Sequence, residues 1–333
     1  MPGYKIAILP TTSLQENLFT PESDAVLAEL GEVVRNEKDE AMETSEVAEM
    51  IADCDGVMTS WGVKRLDAEA VAKAGKLKVV AHAAGTVKPI VSNELWAKGV
   101  RVSSGACQIA VEVAEDALGK LICGLKDVFR LSQGLRDGGW WEARAASWAR
   151  SLGRKKVGIV SASHVGKHMM KLLTMFDCEV LLYDPTVSVD DAAGWGARKV
   201  EFDEFCSESD AISIHAPSIP ATAKMFDADA FAKMRDRCVI VNTARGSVID
   251  EKALIAELEK GRLYALLDVT DPEPPADDSP FRKLENVLLT PHVAGGPDNR
   301  WRIGLHAARE IARCLAGESM EGEVTKEMLA NIA

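Results

Sequence analysis

The sequence predicts an α/β protein built from two doubly wound parallel-sheet domains, and three observations predict it. Short β-branched runs alternate with amphipathic helical patterns almost throughout the chain, as parallel sheets covered on both faces require. The length of 333 residues exceeds one ordinary core and suits two. A buried strand runs directly into a helix through VGIVSASHVGKHM, beginning at Val157, where such folds carry a phosphate-binding turn.

The strand signals fall at residues 4–9, 78–82, 157–160, 179–183, 211–215, 238–242, 264–268 and 286–290. Helical periods lie between them, the clearest at 111–125, 165–176 and 251–260. The stretch SQGLRDGGWWEARAASWARSLGR breaks the alternation. Its Trp140, Trp141 and Trp148 are either core residues of their own domain or aromatic anchors of an arm that wraps a partner subunit.

Composition narrows the function classes. A formal net charge of -12 repels a nucleic-acid backbone, while a local arginine can still bind a small anion under salt screening. Seven scattered cysteines, odd in number and without a C-x-x-C pair, argue for reduced thiols and a cytoplasmic location over disulfides or zinc. The opening MPGYKIAILP does not resemble a secretory signal, and no apolar run reaches membrane-spanning length. No nucleic-acid or membrane partner is expected.

In a dinucleotide turn the first glycine makes the bend, the second admits the pyrophosphate and the third lets helix and strand pack closely. Here Ser161 and Ser163 take the first two places and Gly166 keeps the third. A side chain in a left-handed conformation costs roughly 1–2 kcal/mol, enough to weaken binding about tenfold. Restoring both glycines should then tighten binding. Against that cost, a serine hydroxyl can donate to a phosphate oxygen, beside the free N–H groups of the helix start. Asp184 ends the next strand about twenty residues on, where a carboxylate accepts ribose hydroxyls and repels a 2′-phosphate. That favours NAD over NADP; the other reading is an ordinary Asp-Pro turn.

Three further residues stand at strand ends: Arg245 in VIVNTARGSVIDEKAL, Glu273 in LLDVTDPEPP and His292 in NVLLTPHVAGG. Carboxyl ends of parallel strands border the ligand crevice. An arginine can grip a carboxylate through two N–H groups, and a histidine can exchange a proton with an alcohol or ketone. A carboxylate beside that histidine holds the ring in one orientation. His164 and His168, at i and i+4, could suggest a metal pair, but no third ligand is evident and no metal is expected.

The strings NTARGSVIDEKAL, LDVTDPEP, NVLLTPHVAGG and SIHAPSIPAT, in this order, resemble the D-2-hydroxyacid dehydrogenase family. TSWG and VVAHAAGTVKPIV further resemble its bacterial hydroxyacid dehydrogenase subgroup. The resemblance covers nearly the whole chain. It implies two Rossmann-like domains: a discontinuous substrate domain of residues 1–104 and 297–333, and an inserted NAD-binding domain, 105–296, with a dimerisation arm around 130–154. Hinge closure would exclude water from the substrate.

It also implies roles. Arg245 would bind the substrate carboxylate, and His292 would be the acid or base, partnered by Glu273. Ser161, Ser163, His164, Val165 and Gly166 would meet the pyrophosphate, and Asp184 the ribose. His215, Ala216, Pro217, Thr222, Thr243, Ala244, His292 and Gly295 would line the cofactor, and Asp268 would hold the carboxamide. Ala84, Gly85 and Thr86, continuing to Val87, would receive the substrate carboxylate, with Trp61 beside Ser60 as a pocket wall. The implied activity is NAD-dependent hydride transfer between a small 2-hydroxyacid and its 2-oxoacid, by a homodimer.

Departures from the family pattern are local. The usual glycine-x-glycine-x-aspartate of the substrate domain reads Ala-x-Gly-x-Val here, with Lys88 nearby, and His164 stands where relatives often carry arginine. Loss of both turn glycines leaves an alternative open: a family-derived protein with lost or altered cofactor use. Such a protein would sense a ligand, bind a partner, or hold NAD tightly for a non-redox reaction.

Overall fold

The computed structural model describes residues 3–296 and 298–332. The chain divides into two compact units, residues 1–109 with 296–333, and residues 110–295. The first division falls inside the long helix Ala106–Leu125. Strands β1 (Tyr4–Ile8), β2 (Gly31–Arg35), β3 (Gly56–Thr59), β4 (Val79–His82) and β5 (Arg101–Ser104) belong to the first unit. The second unit holds β6 (Lys156–Val160), β7 (Glu179–Tyr183), β8 (Ala197–Lys199), β9 (Ala211–Ile214), β10 (Val239–Asn242), β11 (Tyr264–Leu267) and β12 (Val287–Leu289). The chain then returns to the first unit with β13 (Glu323–Val324).

In the first unit the sheet order is β2-β1-β3-β4-β5-β13, parallel except for the antiparallel edge strand β13. The second unit has the fully parallel order β8-β7-β6-β9-β10-β11-β12. Both are doubly wound: the order reverses between β1 and β3 in one, and between β6 and β9 in the other.

Side-chain alternation explains why these strands read as continuous apolar runs. Ile6 and Ile8 enter one buried cluster while Ala7 and Leu9 enter the cluster on the opposite face. In the second unit Val157 and Ile159 pack with Leu182, Val239 and Leu266, whereas Ile212, Ile214, Ile240 and Leu267 build the other core. Both faces of each sheet are covered, so neither alternates apolar with polar.

The strand ends decide where the site forms. His215, Asp268 and Thr290, each read from sequence as the last residue of a strand, lie one position beyond the ladder. Leaving the ladder frees them to line the carboxyl edge of the sheet.

The segment that broke the alternation folds as helices Val128–Asp137 and Trp140–Ala145, neither of which buries a residue. Trp140 is 64% exposed and Trp141 70%, so the reading of these two as core residues is overturned. Trp148 differs: the guanidinium carbons of Arg130 and Arg237 stand 5.2 and 5.3 Å from its ring centroid. Among the described residues no helix is long and apolar enough to cross a membrane.

Candidate active site

The phosphate turn sits at the switch point of the second sheet, between β6 and β9. Ser161 adopts φ +73, the left-handed backbone anticipated for the first glycine position. Its hydroxyl has no protein partner among the described residues. Ser163 corrects the expectation: its φ is -60, an ordinary value, and it caps the helix His164–Leu173. The Ser163 hydroxyl accepts from the Gly166 N–H at 3.3 Å and donates to the His215 carbonyl at 3.0 Å. Its proton is committed to the protein, so it does not stand in as a phosphate donor. Gly166 keeps its inferred place, since a Cβ there would lie 2.0 Å from the Ser161 carbonyl oxygen.

His164 opens that helix exposed, Val165 is half-buried, and His168 follows on the same helix. Among the described residues no group of three or more His, Cys, Asp or Glu could hold a metal ion.

Asp184 is buried, and its carboxylate accepts from the Ala162 N–H at 2.9 Å and from the Thr186 N–H and hydroxyl at 2.9 and 2.7 Å. It therefore ties the phosphate turn to the end of β7. Two buried polar atoms at neighbouring strand ends lack any partner: His215 Nδ1 and Thr243 Oγ1. Burial pushes the His215 imidazole down to about 3, so the ring is neutral. Orphaned buried polar atoms are rare in folded proteins and call for a ligand or water. With the Ser161 hydroxyl, the capped helix start and the Gly166 cradle, they fit a bound dinucleotide. Ala216 is buried, while Pro217 and Ala244 are half-buried on the same edge. Thr222 turns inward: its hydroxyl donates to the Pro217 carbonyl at 2.5 Å and holds that loop.

Arg245 and Glu273 follow β10 and β11, and Gly246 is why their loops meet. A Cβ on Gly246 would lie 2.1 Å from the Thr270 carbonyl carbon, so only glycine admits this approach. Asn242, unremarked in the sequence, fixes the Arg245 loop. Its amide donates to the Arg245 carbonyl at 3.0 Å and accepts from the Ala244 N–H at 3.0 Å. The Arg245 guanidinium makes one bond, to the Ala244 carbonyl at 2.6 Å, and has no acidic partner within ion-pair distance among the described residues. Burial lowers its pKa, and the charge of Glu273 acts in the opposite sense. Its remaining N–H groups are open to an anion.

His292 Nδ1 and Glu273 Oε1 are 2.6 Å apart. The bond occupies Nδ1 and leaves Nε2 without a protein partner among the described residues. His292 itself has φ +53, and Asp268 holds that conformation. The buried Asp268 carboxylate accepts from the Thr290 hydroxyl at 2.5 Å and from the Val293 and Ala294 N–H groups at 3.1 and 2.9 Å. The Asp268 carbonyl also accepts the His292 N–H at 2.9 Å. Lys120, buried on the helix Ala106–Leu125, pairs with Asp116 and lies 3.8 Å from Asp268. The sequence carried its signal, a charged i, i+4 pair interrupting an apolar helical face. Gly295, half-buried, ends this loop.

A family model described as D-isomer specific 2-hydroxyacid dehydrogenase, NAD binding domain, matches residues 118–294. The chain belongs to that family. Hydroxypyruvate reductase of Thermotoga maritima is 31% identical over 276 residues, 82% of this chain and 88% of the relative. D-3-phosphoglycerate dehydrogenase of Archaeoglobus fulgidus is 30% identical over 255 residues, 76% of this chain and 48% of the relative. The chain thus spans about half the length of that phosphoglycerate dehydrogenase. D-mandelate dehydrogenase of Rhodotorula graminis shares the fold, with a TM-score of 0.84, 20% identity and 98% of each chain covered.

This member of the D-2-hydroxyacid dehydrogenase family carries its candidate substrate loop in the first unit. Ala84 is buried and its carbonyl accepts the Gly105 N–H at 3.0 Å, while the Ser104 hydroxyl donates to the Gly85 carbonyl at 2.5 Å. The Gly85 and Val87 N–H groups have no protein partner among the described residues. The Thr86 backbone is hydrogen-bonded to the His82 ring. Lys88 reaches away to the Ile332 carbonyl at 2.6 Å. Ser60 is buried with its hydroxyl on the Ala83 carbonyl at 2.7 Å, and Trp61 beside it is 44% exposed.

Proposed function

We propose that this chain is an NAD-dependent oxidoreductase that interconverts a small anionic 2-hydroxyacid and its 2-oxoacid. One observation carries the reading: His292 is paired with Glu273 at 2.6 Å. Glu273 also acts electrostatically on Arg245, whose N–H groups remain open. Arg245 binds the substrate carboxylate and polarises the carbonyl. His292 gives a proton from Nε2 to the carbonyl oxygen in reduction and takes it back in oxidation. Glu273 fixes the ring so that Nε2 keeps this role. The nicotinamide, when bound, supplies or accepts the hydride.

The Ser161 hydroxyl and the N–H groups opening the helix His164–Leu173 receive the pyrophosphate. Asp184 accepts the ribose hydroxyls, and Asp268 meets the carboxamide through the oxygen that bonds only Ala294. Gly85, Thr86 and Val87 receive the substrate carboxylate, as adjacent backbone N–H groups suit an anion. The molecule is a homodimer through the helices Val128–Asp137 and Trp140–Ala145, supported by their exposed Phe129, Leu135, Trp140 and Trp141.

Steady-state assays with NADH and small 2-oxoacids test the activity. Removing a general acid should cost about 10²–10⁴ in kcat for His292→Ala. Arg245→Ala should both raise KM and lower kcat, because it removes the carboxylate contact and the carbonyl polarisation. Wild-type rates in both variants, or no NADH binding at millimolar concentration, would overturn the proposal.

A further inference from the structure

The edge of the first unit that carries the substrate loop also carries a cation with no acidic partner. β3 and β4 pair in register through Thr59 and His82, and the Ser60 hydroxyl bonds the Ala83 carbonyl. Residues 60–62 therefore leave the sheet beside residues 83–87. The helix Arg300–Leu315 begins against the same edge, because Ile303, one turn in, is buried in the cluster that holds Ala81 and Ala83. Its first residue, Arg300, places its guanidinium carbon 5.3 Å from the Trp61 ring centroid.

No carboxylate pairs with Arg300 among the described residues. Other half-buried arginines divide: Arg245 and Arg302 likewise lack a carboxylate partner among the described residues, and others are paired. Arg101 pairs with Glu323, Arg262 with Glu257, and Arg313 with Glu310 and Glu321. Stacking on an indole occupies the face of a guanidinium and holds it planar. Its N–H edges stay free for a two-pronged bond to an oxyanion.

We propose that Trp61 and Arg300 form a second anion-recognition point beside residues 84–87, selecting 2-oxoacids that carry a distal oxyanion. This rests on the reading of residues 84–87 as the loop that receives the 2-oxoacid carboxylate. That loop takes the first carboxylate, and Arg300 takes a carboxylate or phosphate at the far end of the same molecule. Trp61 fixes the guanidinium and walls the carbon chain. A neutral side chain at that end would desolvate Arg300 without pairing it, which is the source of the discrimination.

Paired substrates test the assignment. Assays with NADH compare 2-oxoglutarate with 2-oxopentanoate for the carboxylate source, and phosphohydroxypyruvate with hydroxypyruvate for the phosphate source. At least one anionic substrate should exceed its neutral counterpart about tenfold or more in kcat/KM. Arg300→Gln should abolish that advantage, and Arg300→Lys, a point charge without the planar fork, should restore part of it. Neutral substrates used as well as both anionic ones, or equal losses on each pair in Arg300→Gln, overturn it. Calorimetric titration of the same compounds reads binding without turnover. A preference for the anionic member that Arg300→Gln removes supports this assignment even if no oxoacid is reduced, an outcome that would sink only the proposed activity. Equal binding of the members of both pairs overturns the assignment.

Discussion

Ser161 and Ser163 occupy equivalent places in a motif and do different work. At Ser161 the left-handed backbone belongs to the fold, so its cost of roughly 1–2 kcal/mol falls on folding and not on NAD binding. At Ser163 there is no such cost, and the hydroxyl caps a helix. The expectation that glycines at both places tighten NAD binding therefore has to be divided. Ser161→Gly should raise the melting midpoint, yet weaken NADH severalfold in calorimetry, because a free hydroxyl worth about 1 kcal/mol is lost. Unchanged affinity would show that this hydroxyl does not meet the pyrophosphate. The residue types at Arg245, Glu273 and His292 were legible from their chemistry. The support given by Asn242 and Asp268 was not, because it depends on which backbone groups surround each side chain.

Among the elements, strands were legible where a β-branched run stood alone between turn signals, as at β6, β7 and β10. Short or mixed strands such as β8 and β13 carried no such signal, because two or three residues are too few to show a period. The helices Val128–Asp137 and Trp140–Ala145 show another difficulty. The sequence showed this segment only as a break in the alternation, and whether its apolar side chains turn inward is a property of what packs on them. Here neither helix buries a residue. If those side chains join two subunits, Trp140→Ser with Trp141→Ser should shift sedimentation from dimer toward monomer at micromolar concentration. A wild-type sedimentation profile would place the interface elsewhere.

Across the whole molecule, buried histidines set the acid limit of stability. Burial pushes His82 down to about 4 and His215 to about 3, and lowers His306 as well, from an ordinary value of 6.5. Below pH 6.5 the unfolded chain takes up protons that the folded chain refuses. The stabilisation is therefore complete above that pH and declines as pH falls toward 4 and 3. Each such group contributes a slope of about 1.4 kcal/mol per pH unit within its window. Denaturant titrations should show stability falling from about pH 6.5 downward, and His82→Gln should flatten part of that slope, whatever its effect at neutral pH. An unchanged slope would assign the acid sensitivity to other groups. Both units share it, since His82 and His306 lie in the first and His215 in the second.

The sequence by itself determined the fold class and the chemistry at the strand ends. Apolar runs in alternation with amphipathic helices admit few arrangements, and a parallel sheet delivers its following residues to one edge. Tertiary structure alone decided which of those residues remain available. Ser163 and Thr222 spend their hydroxyls on neighbouring carbonyls, while Arg245, Ser161 and Arg300 keep donors unspent. The physical reason is that a polar group is free or committed according to its spatial neighbours, and those come from distant parts of the chain.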